Sequence, residues 1–525
     1  MQTEPRNWFL ARDERGNTAT GVHAGGDDGP AWSEGNAVRP LVHGAPYFER
    51  IHAELTALTA GDRVWFTDWR GDPDERLLPD GPTIGDLLAD CARAGVEVRG
   101  LIWRSHGERV SASISARSNE LLGRKINDAG GEVLLDQRVR VFGSHHQKFF
   151  VIQHRDDPAR DVAFVGGIDL CHSRRDDAEH HGDPQPVSID PRYGDHPAWH
   201  DASMELRGPV VADVLEVFAE RWDDPHPLDR SLPYRMLLQR LTHMPRHPEP
   251  LPERTPAPPP AGQHAVQLLR TYGVKRPPFP FAPHGERSIA RAYGKAFRQA
   301  RSLISIEDQY LWSTEVATGI AEALDRNPDL RVIVLVPRYP NSDGPLGGPP
   351  ARLGQIDAIR TLRRTAGDRV GVFDLEHEDG RPIYIHAKVC VVDDTWFTIG
   401  SDNFNRRSWT SDSELTCAVV DRSDGDGSLA RDLRLQLWAE HLATTPDDPR
   451  LLGSGAELLA LWRASARALD DWHEDGRPGA RPPGRVRAHT PEPVSALQRL
   501  WARPAARLAV DPDGRPRRLR GTTAF

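Results

Sequence analysis

The feature that most restricts this chain is a short motif that occurs twice, far apart. His146-Gln147-Lys148 runs into the apolar stretch Phe149-Phe150-Val151-Ile152, and His386-Ala387-Lys388 runs into Val389-Cys390-Val391-Val392. Short β-branched and aromatic runs of this kind read as buried strands. Side chains alternate across a strand, so His and Lys two residues apart share a face and aim together at one point. The residues downstream of each motif repeat as well, with Val162 through Gly166, Gly167, Ile168 and Asp169 paralleling Trp396 through Gly400, Ser401, Asp402 and Asn403. Carrying one half-site twice is the natural way to build a centre that needs two histidines, and it demands two like halves that meet.

The order of elements agrees. A helix over 46–60, a strand over 63–69, a helix over 84–94 and a strand over 96–103 form a helix-linked parallel pair, which favours a buried sheet. Strands near Val133, at His146 and over 162–165 come next, and a helix over 209–222 closes the set. The second set has helices at 289–300, 314–324 and 353–365, strands at 303–311, 330–336, 370–375, His386 and 396–400, and a closing helix at 429–442. The expected fold is α/β: two similar α/β/α sandwich halves packed pseudo-symmetrically around one shared active site. The expected boundaries are a flexible arm over 1–36, a first half over 37–244, a Pro-rich linker over 245–263, a second half over 264–450, and a C-terminal helix with an Arg- and Pro-rich tail over 451–525. That tail reads as solvated and disordered from about Asp475, with Leu497, Leu500, Trp501 and Leu508 available to dock.

A formal charge of −9 argues against broad electrostatic capture of nucleic acid. No apolar run is long enough to cross a bilayer, and the start lacks the charged and apolar regions of a secretory signal. Cys91, Cys171, Cys390 and Cys417 have no paired metal spacing and read as reduced packing residues. These features lead us to expect a cytoplasmic monomer, at most peripheral to a membrane.

On these residues the chain resembles the phospholipase D superfamily, whose signature is H-x-K-x4-D followed by a Gly-Gly or Gly-Ser turn and a polar residue. The second copy matches at His386, Lys388, Asp393, Gly400, Ser401 and Asn403; the first matches at His146, Lys148, Gly166 and Gly167, with Gln153 where the Asp would fall. Trp199-His200-Asp201, Glu307-Asp308-Gln309-Tyr310 and the stretch 403–414 are similar to the eukaryotic-type branch, and the likeness covers roughly 40–445.

The resemblance implies a covalent phosphohistidine on His146, with His386 as general acid and then base. Lys148, Lys388 and Asn403, with Gly167 and Ser401, would hold the phosphate oxygens, and Asp393 would support its strand. Such cations remove the need for a divalent metal or other cofactor in the chemistry. Two neighbouring imidazoles are expected to share protonation unequally, one neutral and one charged. Glu414 is the expected orienting carboxylate of the second half. For the first half the choice stays open among Asp169, Asp176 and Asp177. The implied substrate is a glycerophospholipid at a membrane surface, cut to phosphatidic acid and a head-group alcohol, with transfer to another alcohol also open. Contact with lipid would rest on loops such as 340–350. Alternatives are a nucleic-acid phosphodiesterase, a cardiolipin-type phosphatidyltransferase, and a silent scaffold suggested by Gln153. His145 is expected to face away from the cleft. His172, His180 and His181 read as a solvated loop and not a metal cluster.

Overall fold

The structure, a computed structural model, describes residues 4–24, 29–104, 115–187, 189–229, 233–241, 244–340, 348–421, 428–520, 522 and 524–525. In the first half the strands are β1 (Ser33–Val42), β2 (Arg63–Asp68), β3 (Glu97–Trp103), β4 (Glu132–Asp136), β5 (Phe149–Gln153), β6 (Val162–Gly166), β7 (Trp199–His200) and β8 (Ala202–Arg207). The second half has β9 (His264–Tyr272), β10 (Glu286–Arg287), β11 (Leu303–Glu307), β12 (Arg331–Leu335), β13 (Val370–Glu376), β14 (Pro382–Ile385), β15 (Val389–Val392), β16 (Trp396–Gly400) and β17 (Glu414–Val420).

Pairing makes the repeat explicit. The first sheet runs β1-β8-β6-β5-β2-β3-β4, antiparallel up to β2 and parallel from β2 to β4. The second runs β9-β17-β16-β15-β11-β12-β13 with the same change of direction at β11. Parallel neighbours need helical crossovers, and the helices Ile84–Arg93 and Thr314–Arg326 supply one in each half. Both helices start at a side-chain cap, Thr83 accepting from the Asp86 N–H and Ser313 from the Val316 N–H. One apolar core spans the two sheets, joining Val151, Ala163 and Phe218 to Leu268, Ile399 and Trp438, while two outer cores seat the remaining helices. The architecture is two α/β/α halves face to face.

Two expectations need correction. The described parts of the 1–36 arm are held down: Phe9 and Leu10 are buried, the Leu10 N–H donates to Gln267 at 2.9 Å, and Arg15 pairs with Glu286 at 3.0 Å. The tail is ordered too. A helix over Gly455–Glu474 packs Trp462 on Phe373, and β18 (Val486–Ala488) adds an edge strand antiparallel to β13. Beyond it Arg515 is fully buried and Phe525 packs on Trp409. Trp501 docks beside Leu353 and Ile356, but Leu497, Leu500 and Leu508 stay exposed. Most of the 340–350 loop lies outside the described residues.

Asp393 is structural. It accepts the N–H groups of Arg301, Ser302 and Leu303 at 2.6–2.8 Å, tying the end of β15 to the start of β11. In the first half the same junction is tied from the other side, where Asp62 ahead of β2 accepts the Arg155 N–H at 2.9 Å. Gln153 is therefore released from that duty and donates to Thr255 of the connector at 2.6 Å. Asp393→Ala is expected to lower the free energy of unfolding by roughly 2 kcal/mol, since three donors lose an ionised acceptor at a partly exposed junction. An unchanged urea midpoint would contradict this role.

Candidate active site

The His-x-Lys residues do not lie within strands as the sequence suggested. His146, Gln147 and Lys148 fall just before β5, and His386, Ala387 and Lys388 fill the gap between β14 and β15. Their backbones leave their own sheet and bridge to the other half. His145 bridges in parallel to Ser413, and the His146 N–H donates to the Ser413 carbonyl at 2.9 Å. Ile385 pairs in parallel with His200, whose carbonyl accepts from His386 and Ala387 at 2.8 and 3.0 Å. The two junctions are the same junction, used once in each direction.

The residue after each bridge is a carboxylate, and it takes the imidazole of the opposite half. His146 Nδ1 lies 2.9 Å from Glu414 Oε2, and His386 Nδ1 lies 2.6 Å from Asp201 Oδ2. This corrects the expected assignment of Glu414 to the second half: it serves the first, and Asp201 serves the second. A carboxylate on Nδ1 fixes the ring and turns Nε2 toward the site. Asp169 holds no imidazole; it pairs with Lys148 at 3.3 Å and with Arg174 at 3.4 Å. Asp176 instead holds His180 and the Trp199 N–H, and Asp177 holds His181.

The turns after β6 and β16 complete the floor. A Cβ on Gly167 would stand 2.4 Å from Asp201 Oδ1 and 3.3 Å from Lys388 Cδ, so only a hydrogen fits there. Ser401, its counterpart, uses the equivalent space to place its hydroxyl 2.6 Å from Glu414 Oε2. Asn403 is buried with its Oδ1 unpartnered. Its turn is fixed by Asp308, which accepts the Phe404 N–H at 2.9 Å, and Asp68 does the same for the Leu170 N–H beside Asp169. Trp69 stands edge-on to His146 and Trp199 packs on His386, with Arg174 stacked over Trp199. Lys388 reaches Gln309 Oε1 at 3.4 Å and its own chain at the His386 carbonyl. His145, as expected, is turned into the core, with both ring nitrogens unpartnered.

Electrostatics joins the halves. Burial, then Lys148 and Lys388 from both motifs, push the His146 imidazole well below its usual range. Burial and Lys388 push His386 down to about 3 against the pull of Asp201. Both rings are therefore neutral at pH 7, which corrects the expectation of one charged and one neutral ring. The spare proton sits elsewhere: burial and the nearby Asp412 raise the Glu414 carboxyl to about 8. Lys388 is itself lowered to about 8 by burial and, further, by Lys148. Asp201 is held down at about 2 by His386 and Lys388 in spite of burial. The result is two imidazoles held below their usual range beside Lys148, Lys388 and a Glu414 carboxyl held above its own, in a nearly closed site, His146 being 15% exposed and His386 6%.

The sequence marked Asp201 only as part of a stretch similar to the family and passed over Asp68, Trp69 and Arg174. The signal for Asp201 was its position, one residue ahead of the last strand of its half, where Glu414 begins the last strand of the other.

Comparison with known proteins agrees with the family and the two-halved fold. The profile described as Phospholipase D matches residues 72–317, and the one described as Cardiolipin synthase, PLD-like domain, matches 293–434. Phospholipase D alpha 2 of Oryza sativa subsp. japonica is 25% identical over 523 residues, covering 73% of this chain and 62% of its own. Phospholipase D alpha 1 of Vigna unguiculata is 26% identical over 545 residues, covering 78% and 66%. The chain thus spans roughly three fifths of the first of these curated relatives. Among solved structures, phosphatidylserine synthase of Haemophilus influenzae Rd KW20 shares the fold, with a TM-score of 0.52 at 15% identity over 90% of this chain and 94% of that one. No helix among the described residues is long and apolar enough to cross a membrane.

Replacing Lys388 by Met removes the cation that most depresses the His386 ring after burial itself. The Cε1–H resonance of His386 is then expected to titrate at a higher pH than in the wild type, where it stays neutral down to about 3. A wild-type His386 already charged at pH 6 would contradict the assigned electrostatics.

Proposed function

The chain belongs to the phospholipase D superfamily, and from that premise we propose that it is a phospholipase D-type phosphodiesterase acting on glycerophospholipids. The observation that carries this reading is the crossed pair of imidazole–carboxylate contacts, His146 with Glu414 and His386 with Asp201, beside Lys148 and Lys388.

The roles follow from the charges. A nucleophile must stay neutral, and His146 has cations around it and a partner carboxyl that keeps its proton. A general acid must carry positive charge for part of the cycle, and His386 has the ionised Asp201 against Nδ1 to stabilise it. His146 Nε2 attacks phosphorus, the P–O bond to the head group breaks, and His386 gives the departing oxygen its proton. His386, neutral in the free site, takes that proton from solvent once the negative charge of the bound phosphate offsets Lys388. Water, deprotonated by His386, then attacks the phosphohistidine, releasing phosphatidic acid and restoring His146. Lys148 and Lys388 neutralise the non-bridging oxygens, with the Asn403 amide beside them, so the phosphoryl step asks for no further cation.

A cleft of about 670 Å³ elsewhere on the molecule mixes Phe142, Trp312 and Leu353 with arginines and with Glu315, Asp357 and Asp511, and its lining includes neither histidine of the site, so the lipid reading rests on the family and not on this cleft. A second reading, transfer of the phosphatidyl group to an alcohol on another lipid, is favoured by the match to the Cardiolipin synthase, PLD-like domain. It uses the same covalent intermediate.

Incubation with phosphatidylcholine vesicles and a primary alcohol is expected to yield both phosphatidic acid and the phosphatidyl-alcohol, with His146→Ala and His386→Ala each lowering turnover on the order of 10⁴-fold or more. Inert lipid would contradict the substrate, and full activity in either variant the mechanism. The pH profile supplies a further check. The charge on Lys388 and the proton on Glu414 are both present below about 8 and lost as pH rises through it. The value of kcat/KM is therefore expected to fall above that pH more steeply than one proton allows, and Lys388→Arg to make the fall shallower. A kcat/KM that rises through that range would contradict it.

A further inference from the structure

A second histidine cluster lies directly behind the site and takes no part in the chemistry above. His43, His180, His200 and Glu440 each offer one nitrogen or carboxylate oxygen, and these atoms lie within 4.8 Å of one another. The three histidines are buried, and they come from the first half, whereas Glu440 comes from the helix Leu429–His441 of the second. This places His180, expected in a solvated loop, at the junction of the two halves.

The hydrogen bonds fix which ring atoms face inward. His180 lies between two carboxylates, Nδ1 3.0 Å from Asp176 and Nε2 3.1 Å from Glu440 Oε1, so Nε2 faces inward and holds either a proton or a cation against Glu440. His200 Nε2 lies 2.7 Å from Glu307 and His441 Nε2 lies 3.0 Å from the other oxygen of Glu307. Their Nδ1 atoms, unpartnered and buried, both turn toward Glu440 Oε1 at 3.9 and 3.8 Å. His43 Nε2 reaches Glu440 Oε2 at 2.7 Å. Ring nitrogens thus converge on one carboxylate, with Arg485 Nη1 as a cation on the rim at 3.5 Å. Such an arrangement repels itself unless a cation or extra protons fill it. Carboxylates behind ligating imidazoles are the outer arrangement that orients histidine on a metal. His43 and His180 also adopt positive φ, 69° and 61°, conformations that non-glycine residues take only when their surroundings impose them.

We propose that His43, His180, His200 and Glu440 bind a structural divalent transition metal of the zinc class, with His441 and Glu307 behind them, stapling the two halves together. Three imidazoles and one carboxylate suit tetrahedral zinc. The staple supports the reaction centre through the backbone: the His200 carbonyl holds His386 and Ala387, and the His43 N–H donates to the Asp201 carbonyl at 2.8 Å.

The test is metal analysis of the full chain, purified without a histidine tag, stripped with a chelator and reloaded with Zn²⁺ or Co²⁺. About one equivalent of zinc is expected to survive dialysis, and cobalt to give the visible spectrum of a tetrahedral nitrogen-rich site. His180→Gln and Glu440→Gln are expected to lose that equivalent, and His181→Gln, in the exposed group Asp177, Glu179 and His181, to keep it. Should those variants fail to fold, the thermal midpoint of stripped wild-type protein must rise on adding Zn²⁺. Stripped, folded protein that takes up no zinc and gains no stability would overturn the proposal, as would loss of zinc only in His181→Gln.

Discussion

Two backbone bridges between the halves, His145 to Ser413 and Ile385 to His200, set everything else in this molecule. Each carries a histidine out of its own sheet and lays it beside a carboxylate of the other. Neither half can therefore hold its own imidazole in a defined tautomer. The reaction centre exists only when both halves are docked, and a shared apolar core of both sheets supplies the driving force for docking.

Crossing also explains why the two half-sites, alike in sequence, differ in chemistry. Glu414 sits near Asp412 and Ser401 and keeps a proton, while Asp201 sits under Lys388 and does not. Gly167 and Ser401, at matching positions, are part of that difference: one leaves room against Asp201, the other supplies a hydroxyl to Glu414. Near-identical backbones thus set two like imidazoles against unlike carboxyls, one raised to about 8 and one held at about 2.

Much of this was legible in the sequence, for reasons that separate the local from the nonlocal. The His-x-Lys spacing, the glycine turns and the order of helices and strands are written within a few residues, and they announced two α/β/α halves and their shared histidines. The partners of those histidines were not, because crossing pairs residues 146 with 414 and 386 with 201. The terminal segments misled for another reason. Polar composition around Phe9, Leu10 and Arg515 suggested solvation, but single apolar anchors and buried arginines paired with acids hold the chain without any periodic pattern. Gln153 looked like a lost support of its strand, and that tie is made by Asp62 instead.

That these crossed contacts bring both rings to one phosphorus is tested most directly by quenching the protein during turnover and mapping acid-labile phosphate. Phosphate is expected on His146 alone, with more of it accumulating in His386→Ala given a substrate whose leaving group needs no proton. Phosphate on His386, or its absence from a protein that turns over, would contradict the arrangement described.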